Sequence, residues 1–168
     1  MNYKELMIKD LQDLYQAETE QASQLPQLAA QASSEALRTA LEEHAAETQQ
    51  QVLRLQQILE MVDETPGGQG EVTPGVLGLV SEGHRKGELI QDPALKDLAL
   101  IAAAQKMEHY EIACYGTARA MARTAGMDDA ARLLQTTLNE EEAADKRLTD
   151  IALPIHKQAA QTEPALAE

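Results

Sequence analysis

Glu108 and Glu111 stand one helical turn apart inside an apolar run from Ala94 to Ala122. Two carboxylates buried together need hydrogen-bond partners, protons or a cation to offset their desolvation. The run, ALKDLALIAAAQKMEHYEIACYGTARAMA, carries Leu95, Leu98, Ile101, Met107, Ile112 and Met121 and shows no wide polar stripe. It therefore reads as a helix that is apolar nearly all round and buried. Three other segments place comparable groups on apolar lines. Glu18 falls near the centre of the stripe formed by Leu11, Leu14, Ala22 and Leu25, where a purely structural helix would carry Leu or Ala. His44 lies within the stripe of Leu37, Leu41, Val52 and Leu55 with Glu47 at its edge, an i, i+3 pair able to point inward together. Glu141 and Asp145 fall on the line of Leu134, Leu138 and Leu148, with Glu142 beside it.

These groups recur by halves. His44-Ala45-Ala46-Glu47 is echoed by Glu142-Ala143-Ala144-Asp145, and Glu18 before Leu28-Ala29 by Glu111 before Met121-Ala122. Each half reads as a helical hairpin with an acid on its first helix and an i, i+3 polar pair on its second. Four helices presenting such groups toward one axis build the di-metal carboxylate site that bundle cores host. The donor set suits iron first, with manganese as the close alternative. Zinc comes after these because carboxylates dominate and no Cys joins them. The competing reading is metal-free: a polar network of Glu108, His109 and Tyr110, with His44 a hydrogen-bonded core histidine.

The elements that must position these residues are legible from spacing and punctuation. Apolar residues at threes and fours predict a first helix from Met1 to about Ser33, weakened by Pro26, and a second from about Glu35 to Asp63, capped by Ser33-Ser34-Glu35. Thr65-Pro66-Gly67-Gly68-Gln69-Gly70 ends it. Thr73-Pro74 starts a short crossover helix, broken around Gly83 and Gly87, on which His84 reads as a surface residue. Asp92-Pro93 opens the third long helix and Gly126 closes it; Asp128-Asp129 caps the fourth, which Pro154 weakens near its end. The prediction is one bundle domain over residues 1–157 and a loose tail over 158–168.

Composition fits. In 168 residues there is no Trp or Phe and there are four Tyr, so a sheet has little to build with and the class is all-α. Fourteen Lys plus Arg against twenty-eight Asp plus Glu give a net charge of −14, which repels nucleic acid and anionic membrane surfaces. A single Cys, Cys114, allows no intramolecular disulfide, and with no leader-like or spanning segment the chain is expected in the cytoplasm. Gly67-Gly68-Gln69-Gly70 lacks the strand and Lys of a phosphate loop.

Asp13-Leu14-Tyr15-Gln16-Ala17-Glu18, Glu42-Glu43-His44, Leu100 to Gln105, Glu108-His109-Tyr110-Glu111-Ile112-Ala113, Tyr115-Gly116-Thr117 and Thr137 to Glu141 resemble the YciF family of bacterial ferritin-like, stress-associated proteins. The resemblance spans nearly the whole chain. It implies a ferritin-like four-helix bundle with a long crossover after the second helix, a homodimer, and a di-metal site. The order His44-x-x-Glu47 reverses the Glu-x-x-His of ferritins and rubrerythrins, and Glu142-x-x-Asp145 has no His. Glu18, His44, Glu47, Glu111 and Asp145 are accordingly the first-choice ligands, with Glu108, Glu141 and Glu142 competing for the rest. Two functional expectations follow: a metalloprotein reacting with oxygen or peroxide, with Tyr15, Tyr110 or Tyr115 nearby, or a dimeric bundle whose metal is structural. An iron-storage cage is the weaker third, since no fifth long helix organises its interfaces.

Overall fold

The computed structural model describes residues 1–66 and 73–162, and within them every regular element is a helix: α1 (Tyr3–Gln31), α2 (Glu35–Glu60), α3 (Pro74–Leu89), α4 (Pro93–Thr124) and α5 (Asp128–Thr162). The long helices close a ring in which α1 packs on α2, α2 on α5, α5 on α4 and α4 on α1, while α3 lies outside against α4. This is the expected four-helix bundle with a short helix in its crossover.

Local chemistry sets the helix ends. Asn2 and Glu5 form a reciprocal capping box at the start of α1, and Ser34 caps α2. Asp92 accepts from Leu95 N with Pro93 in the first turn of α4. Gly126, at φ 74°, ends α4 as expected, because that left-handed conformation suits a residue without Cβ. Asp97, 3% exposed, accepts from the backbone N–H groups of Ser33 (2.8 Å) and Ser34 (2.7 Å) and so pins the α1–α2 corner to α4.

Four expectations change. The crossover helix is not broken: α3 runs continuously through Gly83 and Gly87, and both are buried. A Cβ on Gly83 would come within 2.9 Å of the Ala103 Cβ, so the glycine permits close approach of α3 to α4 instead of ending the helix. His84 is half-buried, its Nε2 hydrogen-bonded to Gln24 Oε1 at 3.1 Å, which ties α3 to α1. α4 is not buried all round, since Ala102, His109, Ala113, Thr117 and Ala120 form an exposed line. Pro26 and Pro154 lie within continuous helices, and α5 runs past residue 157 to Thr162. Gly67 to Gly70 of the breaker cluster and residues 163–168 of the tail lie outside the described residues.

Apolar packing divides into two main clusters. One gathers Leu11, Leu14, Leu55, Leu59, Tyr115 and Leu134; the other gathers Leu25, Leu37, Leu41, Leu100, Ile101 and Leu148. Between them in sequence, on all four long helices, lie the buried polar residues Glu18, His44, Glu108, Glu111 and Glu141.

Candidate metal centre

Each helix delivers its contribution by the same logic: a polar side chain on the inward stripe has nowhere to go but the axis. α1 supplies Glu18, α2 His44, α5 Glu141, and α4 both Glu108 and Glu111, one turn apart. The four carboxylates are fully buried and His44 is 5% exposed. His44 Nε2 lies 3.1 Å from Glu108 Oε1 and 3.8 Å from Glu141 Oε2. One ligand atom from each of these three residues falls within 4.8 Å of the others. Tyr115, also fully buried, donates its hydroxyl to Glu18 Oε1 at 2.5 Å. Gln21 Nε2 approaches His44 Nε2 at 2.9 Å. That nitrogen cannot both hold a proton for Glu108 and offer a lone pair to the Gln21 amide, so the two demands compete.

Most of the inner oxygens have no protein partner. Both oxygens of Glu111 and Glu141, together with Glu108 Oε2 and Glu18 Oε2, are buried without a hydrogen bond among the described residues, and Glu108 Oε1 has the His44 ring nitrogen at 3.1 Å. Burial dominates the titration of Glu18, Glu111 and Glu141. It pushes Glu18 up to about 8, against the Tyr115 hydrogen bond and the His44 charge and with help from Glu108 and Glu140. Burial raises Glu111 well above the ordinary range, reinforced by Glu18, Glu141 and Glu108. Glu141 is pushed up to about 11, first by burial and then by Glu108 and Glu18. Burial also raises Tyr115, with the Glu18 carboxylate adding to it. For His44 burial is the largest influence and pulls the other way, yet the Glu108, Glu47 and Glu141 carboxylates together hold the ring well above its ordinary value. Without a cation, then, Glu18, Glu111 and Glu141 keep protons at neutral pH.

Residues 2–161 match the family described as "Domain of unknown function (DUF892)". The chain belongs to the DUF892 family. Its relatives include Protein YciF of Escherichia coli strain K12, 39% identical over 156 residues that make up 91% of this chain and 93% of that protein. The crystal structure of the E. coli stress protein YciF superposes with a TM-score of 0.88 at 37% identity, covering 94% of this chain and 98% of that one. YcfI from Rhodopseudomonas palustris gives 0.85 at 38%, covering 89% and 94%. A Xanthomonas campestris protein at 24% identity and TM-score 0.72, covering 95% and 97%, shares the fold. The resemblance carried by the third-helix run is therefore borne out, and no described helix is long and apolar enough to cross a membrane.

In this DUF892 chain the structure separates the eight sequence candidates. Glu18, His44, Glu108, Glu111 and Glu141 are brought inside. Glu47 stays at the rim: its side chain is 53% exposed and its Oε2 is 3.7 Å from His44 Nδ1. The facing His44 ring, with Arg147 and Arg54 adding, keeps Glu47 below the usual carboxylate range. Glu142 is exposed. Asp145 is half-buried, accepts from Gln105 Nε2 at 2.9 Å, and lies 3.5 Å from His109 Nε2, well outside the buried group. Of the three tyrosines only Tyr115 bonds a buried carboxylate; Tyr15 accepts from Gln56 and Tyr110 pairs with Thr73.

Sequence reasoning missed Gln21, although its position one turn beyond Glu18 on the same stripe was a usable signal. It also missed the bidentate Arg54–Glu140 pair (2.5 and 2.7 Å), which joins α2 to α5 with Gln51 and Thr137. That contact spans 86 residues, so no local pattern announces it.

The buried donors fit a cation. Carboxylate oxygens without partners and one imidazole nitrogen are what a divalent ion of the iron, manganese or zinc class would satisfy, and each orphaned polar group otherwise costs about 1–3 kcal/mol.

Proposed function

We propose that this DUF892 protein is a carboxylate-rich metalloprotein that holds two ions, iron first and manganese or zinc as alternatives, and reacts with oxygen or peroxide in a stress response. The observation that carries the reading is the layer of buried carboxylate oxygens without hydrogen-bond partners. His44, Glu108 and Glu141 would hold one ion, and Glu18 and Glu111 would extend the set to a second. When bound, an iron pair supplies one-electron exchange with oxygen species.

The surrounding residues are suited to support such a centre. Tyr115 fixes one oxygen of Glu18 and leaves Oε2 free. Glu47 faces the outer nitrogen of His44, the carboxylate-to-imidazole arrangement that turns the other nitrogen toward a metal. The apolar clusters flank the layer on either side along the helices.

Elemental analysis of purified protein, followed by anaerobic ferrous titration and exposure to air, tests this. Two ions per chain and a new ferric absorption are expected. Protein that binds no ferrous iron refutes the reading. The alternative, a homodimeric bundle whose metal is structural, draws on the site's place between two apolar clusters and on exposed Leu53, Leu77 and Leu89. It predicts a chelator-sensitive melting temperature without ferric chemistry, and a dimer by light scattering.

A further inference from the structure

Between α2 and α5 the bundle is open. A cleft of about 380 Å³ lies there, room for about a dozen waters at roughly 30 Å³ each, more than the hydration shell of a divalent ion needs. Ala40, Ala143 and Ala144 line it and supply no bulk to fill it. Beside it the Arg54–Glu140 pair spans the two helices.

The cleft meets the buried layer at His44. The ring lines the cleft, and its Nδ1 is buried without a hydrogen-bond partner, 3.7 Å from the half-exposed Glu47 carboxylate in the same wall. The opposite ring nitrogen is 3.1 Å from Glu108. One imidazole thus separates the cleft carboxylate from an inner one.

Charge in the cleft is unevenly matched. Glu140 is held by Arg54, and Arg147 by Glu43. Glu47 has no Lys or Arg within ion-pairing distance among the described residues; its close partner is the His44 ring. Of the two carboxylates that line the cleft, Glu47 is therefore the one not held by a Lys or Arg among the described residues, and it sits next to the ring. By contrast, the pocket between α1, α3 and α4 is apolar and about 40 Å³, too small for a hydrated ion.

We propose that the α2/α5 cleft is the entry route for hydrated divalent cations, with Glu47 the carboxylate that captures them before they pass His44 to Glu108 and Glu141. The inference rests on the metal reading above and adds a path and a residue to it. Glu47 then acts as a transfer ligand at the rim and not as an inner one.

Stopped-flow mixing of the chelator-treated full chain with cobalt(II) alone, read by the d–d absorbance, tests the route, and equilibrium dialysis at saturating cobalt gives the end point. Ala143→Leu, at an exposed position, and Ala144→Leu narrow the cleft; Glu47→Gln removes the capturing charge; Val80→Phe fills the opposite pocket as a control. The first three are expected to slow uptake about fivefold to tenfold with the final stoichiometry unchanged, and the Glu47→Gln effect should shrink as salt is raised. Val80→Phe should leave the rate unchanged. Unaltered rates in the cleft variants, or equal slowing by Val80→Phe, overturn the route while leaving the metal reading intact. Loss of bound cobalt at saturation in Glu47→Gln shows that Glu47 retains the ion, directly or through His44, and overturns its transfer role. A wild-type chain that takes up no cobalt overturns both.

Discussion

Metal-free protein should lose stability as the pH rises from about 5 to 8, the reverse of a protein held by ionised pairs. Glu18 moves from its ordinary 4.5 to about 8, and Glu141 from 4.5 to about 11, chiefly through burial. Between the two values the unfolded chain has released a proton that the folded chain keeps, so the slope of stability with pH is negative, about 1.4 kcal/mol per unit for each such group. The contribution is fully present below 4.5 and is lost as pH rises through about 8 for Glu18 and about 11 for Glu141. His44 acts in the same direction above its ordinary 6.5, where the unfolded ring loses its proton first. Glu47, held low, costs stability only on acidification below 4.5, outside this window. Over three units one group removes about 4 kcal/mol, a large share of the roughly 5–15 kcal/mol that folds a domain. Thermal unfolding of chelator-treated protein followed by circular dichroism should show a fall of about 10 °C or more between those pH limits. Manganese(II) should restore the loss, since a cation offsets the ionised carboxylates. Glu18→Gln should make the metal-free slope shallower by about one proton. A melting temperature that is flat or rising in metal-free protein, or a slope unchanged by Glu18→Gln, refutes the reasoning.

Other consequences are open to simpler measurement. Tyr115→Phe leaves Glu18 Oε1 without its donor and should cost about 1–3 kcal/mol by urea unfolding. Gly83→Ala places a Cβ 2.9 Å from the Ala103 Cβ; the overpacking of about 1–3 kcal/mol should outweigh the helix-propensity gain of about 1 kcal/mol, and adding Ala103→Gly should recover the loss. Asp97→Ala removes two acceptor contacts to the α1–α2 corner and should cost about 2 kcal/mol or more. In metal titrations Glu141→Gln should weaken binding at least tenfold while Glu142→Gln leaves it unchanged, the tenfold being the lower end of what even an outer partner of a metal ligand is worth.

Strong local signals carried much of this organisation. The long helices, the Gly126 stop and the inward line through Glu18, His44 and Glu141 all follow from spacing. Where the reading departed, the deciding contacts were distant. Asp145 shares the α5 line with Glu141, but Gln105 on α4 takes its carboxylate. Glu47 was paired with His44 by its i, i+3 spacing, yet the opening between α2 and α5 leaves it at the rim. Gly83 and Gly87 looked like breakers because glycine costs a helix about 1 kcal/mol; packing against α4 offsets that, and packing is invisible in a local window. Alanine misled in α4, since it is as acceptable on a wet face as on a dry one. Pro154 is tolerated because Asp150, whose carbonyl loses its helical partner, faces solvent.

The ring of helices joins two antiparallel pairs, α1 with α2 and α4 with α5, each linked by a short turn. Near-neighbour contacts let such pairs collapse early and fast. At that stage Glu18 and His44 on one pair, and Glu108, Glu111 and Glu141 on the other, are still hydrated. Dehydration of the carboxylates comes only when the pairs dock, so proton or cation capture belongs to the late step of assembly.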